Sequence, residues 1–260
     1  MNRARFAFLE HDGPIAFAHR GGALEAPENT WKSFRHAHDL GYRYMETDVH
    51  ATRDGVVVAI HDPDLKRVSE QNGVIREMSW KHLAAVRLGS GEAVPRLDDL
   101  LAAWPEVRWN IDAKHDSVVG PLLETIHRTG ALDRVCITSF NDRRLARLRR
   151  ALGPSACMTM GPATTTMLRI SSWLPERLGG RLSGRLSGFA AAQVPLYQWR
   201  IPVVDRNFVE SAHRAGLVVH VWTIDDEATM SRLLDLGVDG LMTDRPTLLK
   251  DLLVRRQAWT

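Results

Sequence analysis

The chain has 260 residues, 44% hydrophobic and 25% charged, with a formal net charge of +3. That length and composition suit a folded protein with a sizeable core, and so small a charge excess gives no argument for nucleic acid. No apolar run reaches the roughly 18 residues of a membrane span, and the apolar stretch in MNRARFAFLEHDGP is too short for a signal peptide, so a cytoplasmic protein is expected.

In chain order, the first element is an apolar run at 14–19 (PIAFAH), read as a strand that ends on His19. Arg20, Gly21 and Gly22 follow, and glycines at such a point let backbone approach a ligand closely. Thr30 is placed to N-cap a helix over 30–40, which Gly41 ends. The next strand is predicted at 43–49 (RYMETDV). Positions i and i+2 of a strand share a face, so Glu46 and Asp48 point the same way. Strand-borne carboxylates flanked by imidazoles make a hard-cation site with acid–base groups beside it. VVVAIHD at 56–62 begins too soon after Asp48 for a parallel crossover, and the intervening TRDG is a hairpin signal. Residues 46–61 are therefore expected to form an antiparallel ribbon turning near Arg53 and Asp54. The ribbon sets residue 61 roughly opposite residue 46 and brings His61 beside Glu46 and Asp48.

Further strands are predicted at 107–113, 134–139, 156–160, 188–194, 217–223 and 240–243. Helices are predicted over 79–88, 97–104, 117–129, 141–151, 164–178, 205–215, 226–236 and 246–256. Asp205, Asp225 and Asp244 stand at helix starts, and Gly130, Gly153, Gly216 and Gly237 at helix ends. Asp112 and Lys114 also lie two apart at a strand end. Alone they suit a surface ion pair; beside Glu46 and Asp48, Asp112 becomes a third oxygen ligand for Mg²⁺ or Ca²⁺ and Lys114 a cation for phosphate. Cys136 and Cys157 read as buried free thiols. Arg143, Arg144, Arg147, Arg149 and Arg150 read as a solvated helix face rather than a nucleic-acid surface. His50, His115, His127, His213 and His220 read as structural or surface residues. No phosphate-binding loop, dinucleotide turn, serine elbow or paired-cysteine motif is present. Eight strands alternating with helices predict a (β/α)₈ TIM barrel over residues 1–260, in one domain, with a short β-ribbon extending from the second strand. A doubly wound open sheet is the alternative. Barrel enzymes keep their chemistry at the C-terminal mouth, where these residues would gather.

Several motifs recur in a telling order: H-R-G at 19–21, P-E-N-T at 27–30, E-x-D-V at 46–49, T-x-D-G at 52–55 and V-x-x-H-D at 58–62. WNIDAK at 109–114, ITSFND at 137–142, HVWTIDD at 220–226 and GVDGLMTDRP at 237–246 continue it. Together they resemble the glycerophosphodiester phosphodiesterase family over nearly the whole chain. The resemblance independently implies the barrel, and metal-dependent hydrolysis of a glycerophosphodiester to glycerol 3-phosphate and an alcohol. It implies His19 and His61 as the acid/base pair, with a divalent metal held by Glu46, Asp48 and Asp112. Arg20 and Lys114 would bind the phosphoryl oxygens, and Trp222, which by itself also suits an apolar core, would form an aromatic wall against the glycerol moiety. The family usually carries Glu where this chain has Asp112, which is one methylene shorter. Asn29 in P-E-N-T could hold the loop alone, and the resemblance leaves a site-supporting role open. The implied partner is a small glycerophosphodiester, not nucleic acid. The rival readings are a lysophospholipase D of the same architecture and a catalytically inactive phosphodiester-binding barrel. Residues 164–189 leave two readings open: a plain fifth helix on the barrel, or an amphipathic cap broken at Pro175 and Gly179–Gly180. Such a cap would admit a lipid-like chain or make peripheral membrane contact.

Overall fold

The computed structural model describes residues 5–175, 186 and 188–260. Apolar runs become strands where the expected spacing put them: β1 (Ile15–Ala18), β2 (Tyr44–Ala51), β4 (Arg108–Ala113), β5 (Val135–Thr138), β6 (Cys157–Met158), β7 (Ala191–Pro195), β10 (Val218–Trp222) and β11 (Gly240–Thr243). They pair in parallel in the order β6-β5-β4-β2-β1-β11-β10-β7. The two ends then meet: Thr159 bridges Ala191, Met160 N donates to Ala191 O at 2.9 Å, and Ala190 N donates to Met158 O at 2.8 Å. The sheet is thus a closed barrel, and the open-sheet alternative is excluded.

The helices between strands are α1 (Trp31–Asp39), α2 (Trp80–Leu83), α3 (Leu97–Ala103), α4 (Val119–Thr129), α5 (Asp142–Leu152), α6 (Pro162–Trp173), α7 (Arg206–Arg214), α8 (Glu227–Leu236) and α9 (Pro246–Arg255). Helix side chains such as Phe34, Leu122, Leu148, Phe208, Leu233 and Leu249 bury against outward strand residues such as Met45, Trp109, Ile111, Val219 and Leu241. Strands covered on both faces in this way need nearly continuous apolar sequence. Among the described residues no helix is long and apolar enough to cross a membrane.

The N-terminal end of the barrel is stoppered by the chain's own start. Phe8 lies edge-on to Tyr44 with ring centroids 5.3 Å apart, and Tyr44 Oη donates to Phe8 O at 2.9 Å. Phe17, Cys136, Cys157, Val218 and Met242 complete that inner cluster. The two cysteines are register partners, and both are buried and free.

Several local details depart from expectation. The ribbon forms, with β3 (Val57–Ala59) antiparallel to β2 at Val49↔Ala59, His50↔Val58 and Ala51↔Val57. Its turn closes with Thr52 N donating to Val56 O, so residue 61 falls opposite Thr47, one residue from the expected partner. Thr30 and Asp205 cap α1 and α7. Asp225 and Asp244 do not cap: Asp226 caps α8, and Pro246, whose nitrogen needs no acceptor, opens α9. The helix expected over 79–88 shortens to Trp80–Leu83 because Leu83 and Val86 both turn into a side cluster with Val58, Ile60, Leu65, Ile75 and Val94. Arg144 does not join a solvated face. It is 8% exposed and donates to Asp116 Oδ1, Ala113 O and Ser139 Oγ, which satisfy its guanidinium inside the fold.

Candidate active site

A cavity of about 650 Å³ opens at the C-terminal ends of the strands, lined in part by His19, Arg20, Glu46, Asp48, His61, Asp112, Lys114 and Trp222. The β2–β4 register places Asp48 directly beside Asp112. Lys114 Nζ lies between them, 2.7 Å from Asp48 Oδ1 and 2.6 Å from Asp112 Oδ2. Arg20 Nε is 2.9 Å from Asp48 Oδ2, and Asn29 Nδ2 donates to the same oxygen at 3.0 Å. Thr47 Oγ1 in turn donates to Asn29 Oδ1 at 2.8 Å, which fixes the amide. The backbone N–H of Arg20 donates to Glu46 Oε2 at 3.1 Å.

The turn after β1 makes these contacts possible. Arg20 adopts φ 52°, and Gly21 and Gly22 adopt φ 81° and 100°. A Cβ on Gly21 would fall 2.5 Å from Ser33 Oγ, and one on Gly22 2.6 Å from Pro246 Cγ. A close approach that demands glycine is therefore made to the starts of α1 and α9.

Each imidazole has its own carboxylate. His19 Nδ1 donates to Asp244 Oδ1 at 2.7 Å, with Nε2 3.8 Å from Glu46 Oε2. Burial disfavours a charge on His19, but Glu46 and Asp244 outweigh it and raise the pKa above the usual histidine value. His61 Nδ1 donates to Asp62 Oδ1 at 2.7 Å, and His50 Nε2 donates to the His61 carbonyl at 3.2 Å. Asp62 Oδ2 accepts from Arg67 Nε at 2.6 Å, and Arg67 reaches Glu28 Oε1 at 2.6 Å. Burial opposes ionisation of Asp62, yet hydrogen bonds from Arg67 and His61 hold its pKa below the ordinary range.

The three buried carboxyls differ. Burial and then the neighbouring Asp48 charge push Glu46 up to about 8. Asp48 is pushed up by burial, but Lys114 and Arg20 overcome this and lower it. Burial raises Asp112 despite Lys114. Lys114 is itself buried against its charge, and the two aspartates raise its pKa.

Asp112 Oδ1 is buried without a hydrogen-bond partner. That oxygen, together with three carboxyls gathered at one cavity, fits a hard divalent cation on Glu46, Asp48 and Asp112 by donor chemistry. Among the described residues no three acidic, histidine or cysteine side chains converge closely enough to ligate an ion as they stand. Lys114 holds the position between the two aspartates.

Trp222 packs edge-on to Phe140 with centroids 5.6 Å apart, and Lys114 Nζ sits 5.7 Å from the Phe140 centroid. Gln193, also on the cavity, donates to Asn110 Oδ1 at 2.9 Å. Sequence reasoning missed Asp244, taken for a helix cap, and the partners Asp62, Arg67 and Phe140. Only Asp62, adjacent to His61 in the H-D pair, carried a usable signal. Of residues 164–189, α6 is one continuous helix with Leu168 in the core, while Ile170 and Trp173 line the cavity. The expected break at Gly179–Gly180 and Arg177, Arg181 and Arg185 lie outside the described residues.

The profile of the Glycerophosphoryl diester phosphodiesterase family matches residues 19–248. The Mycobacterium tuberculosis protein named probable glycerophosphodiester phosphodiesterase 2 is 39% identical over 97% of this chain and 95% of its own length. The glycerophosphodiester phosphodiesterase structure from Agrobacterium tumefaciens superposes with a TM-score of 0.73 at 24% identity, covering 91% of this chain and 99% of that one. The Oleispira antarctica phosphodiesterase solved with the product sn-glycerol-3-phosphate gives a TM-score of 0.76 at 23% identity over 93% and 97%. With a profile match across most of its length and a relative this similar from end to end, the chain belongs to the glycerophosphoryl diester phosphodiesterase family.

Proposed function

We propose that the protein hydrolyses glycerophosphodiesters to glycerol 3-phosphate and an alcohol such as choline or ethanolamine. The observation that carries this reading is a pair of imidazoles, each oriented by its own carboxylate, facing one cavity with a buried cluster of carboxylates and two cations. With Nδ1 of each ring engaged, Nε2 is the atom free to exchange a proton. One imidazole removes the proton of the attacking hydroxyl or water as the new P–O bond forms. The other protonates the alcohol oxygen as the old P–O bond breaks, a pairing worth ~10²–10⁴-fold. Arg20 and Lys114 present positive charge to the phosphoryl oxygens, where charge accumulates in the transition state. Glu46, Asp48 and Asp112 would hold a divalent ion such as Mg²⁺ or Ca²⁺, which when bound supplies Lewis-acid polarisation and lowers the pKa of a bound hydroxyl. Trp222 and Phe140 close the aromatic side, with Trp222 against the glycerol moiety.

Glycerol 3-phosphate release from glycerophosphocholine and glycerophosphoethanolamine, measured with Mg²⁺, Ca²⁺, Mn²⁺ and chelator, tests the reading. Release that requires a divalent ion and is lost in His19→Ala supports it. No release with any substrate and metal would leave an inactive phosphodiester-binding barrel.

A further inference from the structure

Outside the ring of eight strands, β8 (Tyr197–Gln198) and β9 (Ile201–Pro202) form a hairpin on the cavity rim, and β3 extends β2. The β3 side carries a group of the reaction. His19 follows directly on a barrel strand, whereas His61 leads into a loop with its own small core, in which Leu65 and Ile75 are fully buried. Hydrogen bonds fix the backbone there. Ile60 N donates to Asp48 O at 2.9 Å, and Leu65 N and Ile75 N donate to Gly73 O and Pro63 O at 3.1 Å and 3.0 Å. The imidazole is fixed less directly. It is oriented through Asp62, and the Asp62 carboxylate is in turn held by Arg67.

Arg67 faces two ways. Its Nε donates to Asp62 Oδ2 at 2.6 Å, while Nη1 and Nη2 fork onto Glu28 Oε2 and Oε1 at 2.9 Å and 2.6 Å. Glu28 belongs to the loop between β1 and α1, and Arg20 Nη1 donates to both of its oxygens at 3.4 Å. One unbroken run of charge-assisted contacts thus joins His61 to Arg20 by way of Asp62, Arg67 and Glu28. Arg67 itself is not among the described residues that line the cavity, and its side chain is 48% exposed. A simple ion pair so exposed contributes little to stability. Here three nitrogens of one planar group engage two carboxylates from two loops, a geometry that a lysine cannot reproduce. The turn that carries Arg67 is anchored by Leu65, whose carbonyl accepts from Val68 N at 3.1 Å and Ser69 N at 2.9 Å. The fork is therefore presented from a fixed point.

We propose that Arg67 is a positioning residue for the hydrolysis. Through Asp62 it holds the His61 ring, and through Glu28 it holds Arg20, so one side chain sets the proton-transfer group against the phosphate-binding group. The proposal rests on the phosphodiesterase reading above and adds to it a residue outside the cavity. Its physical basis is orientation: proton transfer to or from a reacting oxygen demands close alignment, and a small misplacement lowers the rate steeply.

The test uses Arg67→Met, which keeps the apolar stem and removes the fork, and Arg67→Lys, which keeps the charge and loses the planar geometry. On glycerophosphocholine, kcat should fall ~10-fold in Arg67→Met, the order expected for one charge-assisted hydrogen bond. Arg67→Lys should stay at least ~3-fold below wild type, since a point charge cannot serve both carboxylates. Arg76→Met is the control. Arg76 is 47% exposed and pairs with Glu77 at 3.0 Å, and its loss should leave kcat within about twofold of wild type. In an Asp62→Asn background Arg67→Met should cost less than it does in the wild type, because its route to His61 is already broken. Ring-nitrogen shifts of His61 in ¹⁵N-histidine spectra, assigned by their loss in His61→Ala, give a readout that needs no turnover. They should move in Arg67→Met and stay in place in Arg76→Met. Wild-type kcat, strictly additive losses or unmoved His61 shifts in a folded Arg67→Met overturn the proposal, as does a lower urea midpoint with kcat unchanged, which is the mark of a structural role alone. If the wild type turns over no glycerophosphodiester, the phosphodiesterase reading fails, and the His61 shifts still decide whether Arg67 sets the ring.

Discussion

Replacing Asp244 with Asn tests the part of the site that sequence reasoning overlooked. The substitution keeps the side chain's size and the backbone contact in which Asp244 N donates to Asp225 Oδ1 at 2.7 Å. It removes the anion that accepts from His19 Nδ1 at 2.7 Å. A short hydrogen bond of that kind to a charged partner is worth ~1.5–3 kcal/mol. If that energy holds the productive tautomer, its loss corresponds to ~10–10²-fold in rate. kcat for glycerophosphocholine should therefore fall by that factor with KM within about threefold. The pH profile gives a second readout. Burial pulls the His19 pKa down, while Glu46 and Asp244 push it up and prevail. Without Asp244 the limb that His19 governs moves toward acid, whichever role the ring plays. A raised histidine pKa also stabilises the fold at low pH, fully below about 6.5 and fading as pH rises through the raised value. The stability deficit of Asp244→Asn should thus be larger at pH 5.5 than at pH 9, as read by urea unfolding. Wild-type kcat with an unshifted limb, in a folded variant, would refute the dyad.

Asp48→Ala should abolish turnover, weaken Mn²⁺ binding in equilibrium dialysis and lower thermal stability, since Lys114 and Arg20 lose a buried partner; full activity of the wild type in exhaustive chelator would sink the metal role. His19→Ala and His61→Ala should each lower kcat by ~10²-fold or more, and the double variant should lose less than the product, since both act in one reaction. Phe8→Ala empties the stopper at the foot of the barrel and should cost ~3–5 kcal/mol in urea unfolding. Asp205 is held below the usual carboxylate range by its hydrogen bond from Arg169, against a smaller effect of burial. Its stabilisation is present above pH 4 and lost as pH falls through that depressed pKa, so in acid titrations followed by circular dichroism Asp205→Asn should show a shallower stability loss than wild type.

The barrel was legible because strands covered on both faces must be written as short apolar runs, and eight such runs separated by helical spacing admit few topologies. The ribbon was legible because eight residues cannot make a parallel crossover. Its register was off by one because the turn, not the flanking strands, sets that count, and nothing in TRDG distinguishes the two closures. Glu46 and Asp48 could be paired by strand period alone, whereas their ties to Lys114, Arg20 and Asn29 depend on how three strand ends converge. Asp244 was misread because an acidic residue before a helix looks the same whether it caps the helix or turns to an imidazole across the barrel. Arg144 was misread for a related reason: helical spacing assigns it to a charged face, but only the fold reveals the carbonyl and carboxylate that satisfy it inside.

The ring of strands is unevenly laced. β2 and β4 run in register from Tyr44↔Arg108 to Val49↔Ala113, whereas β5 and β6 meet only at Cys136↔Cys157 and Ile137↔Met158, and β6 joins β7 through a single bridge. Glu46, Asp48 and Asp112 stand on the strand pair with the longest register, whereas Met160 and α6 follow the short β5–β6 pairing. A substitution or a longer loop after β6 falls outside the six-pair register that holds Glu46, Asp48 and Asp112. The architecture thereby separates what can drift from what must stay still, so a lineage can acquire a new range of substrates without first rebuilding its chemistry.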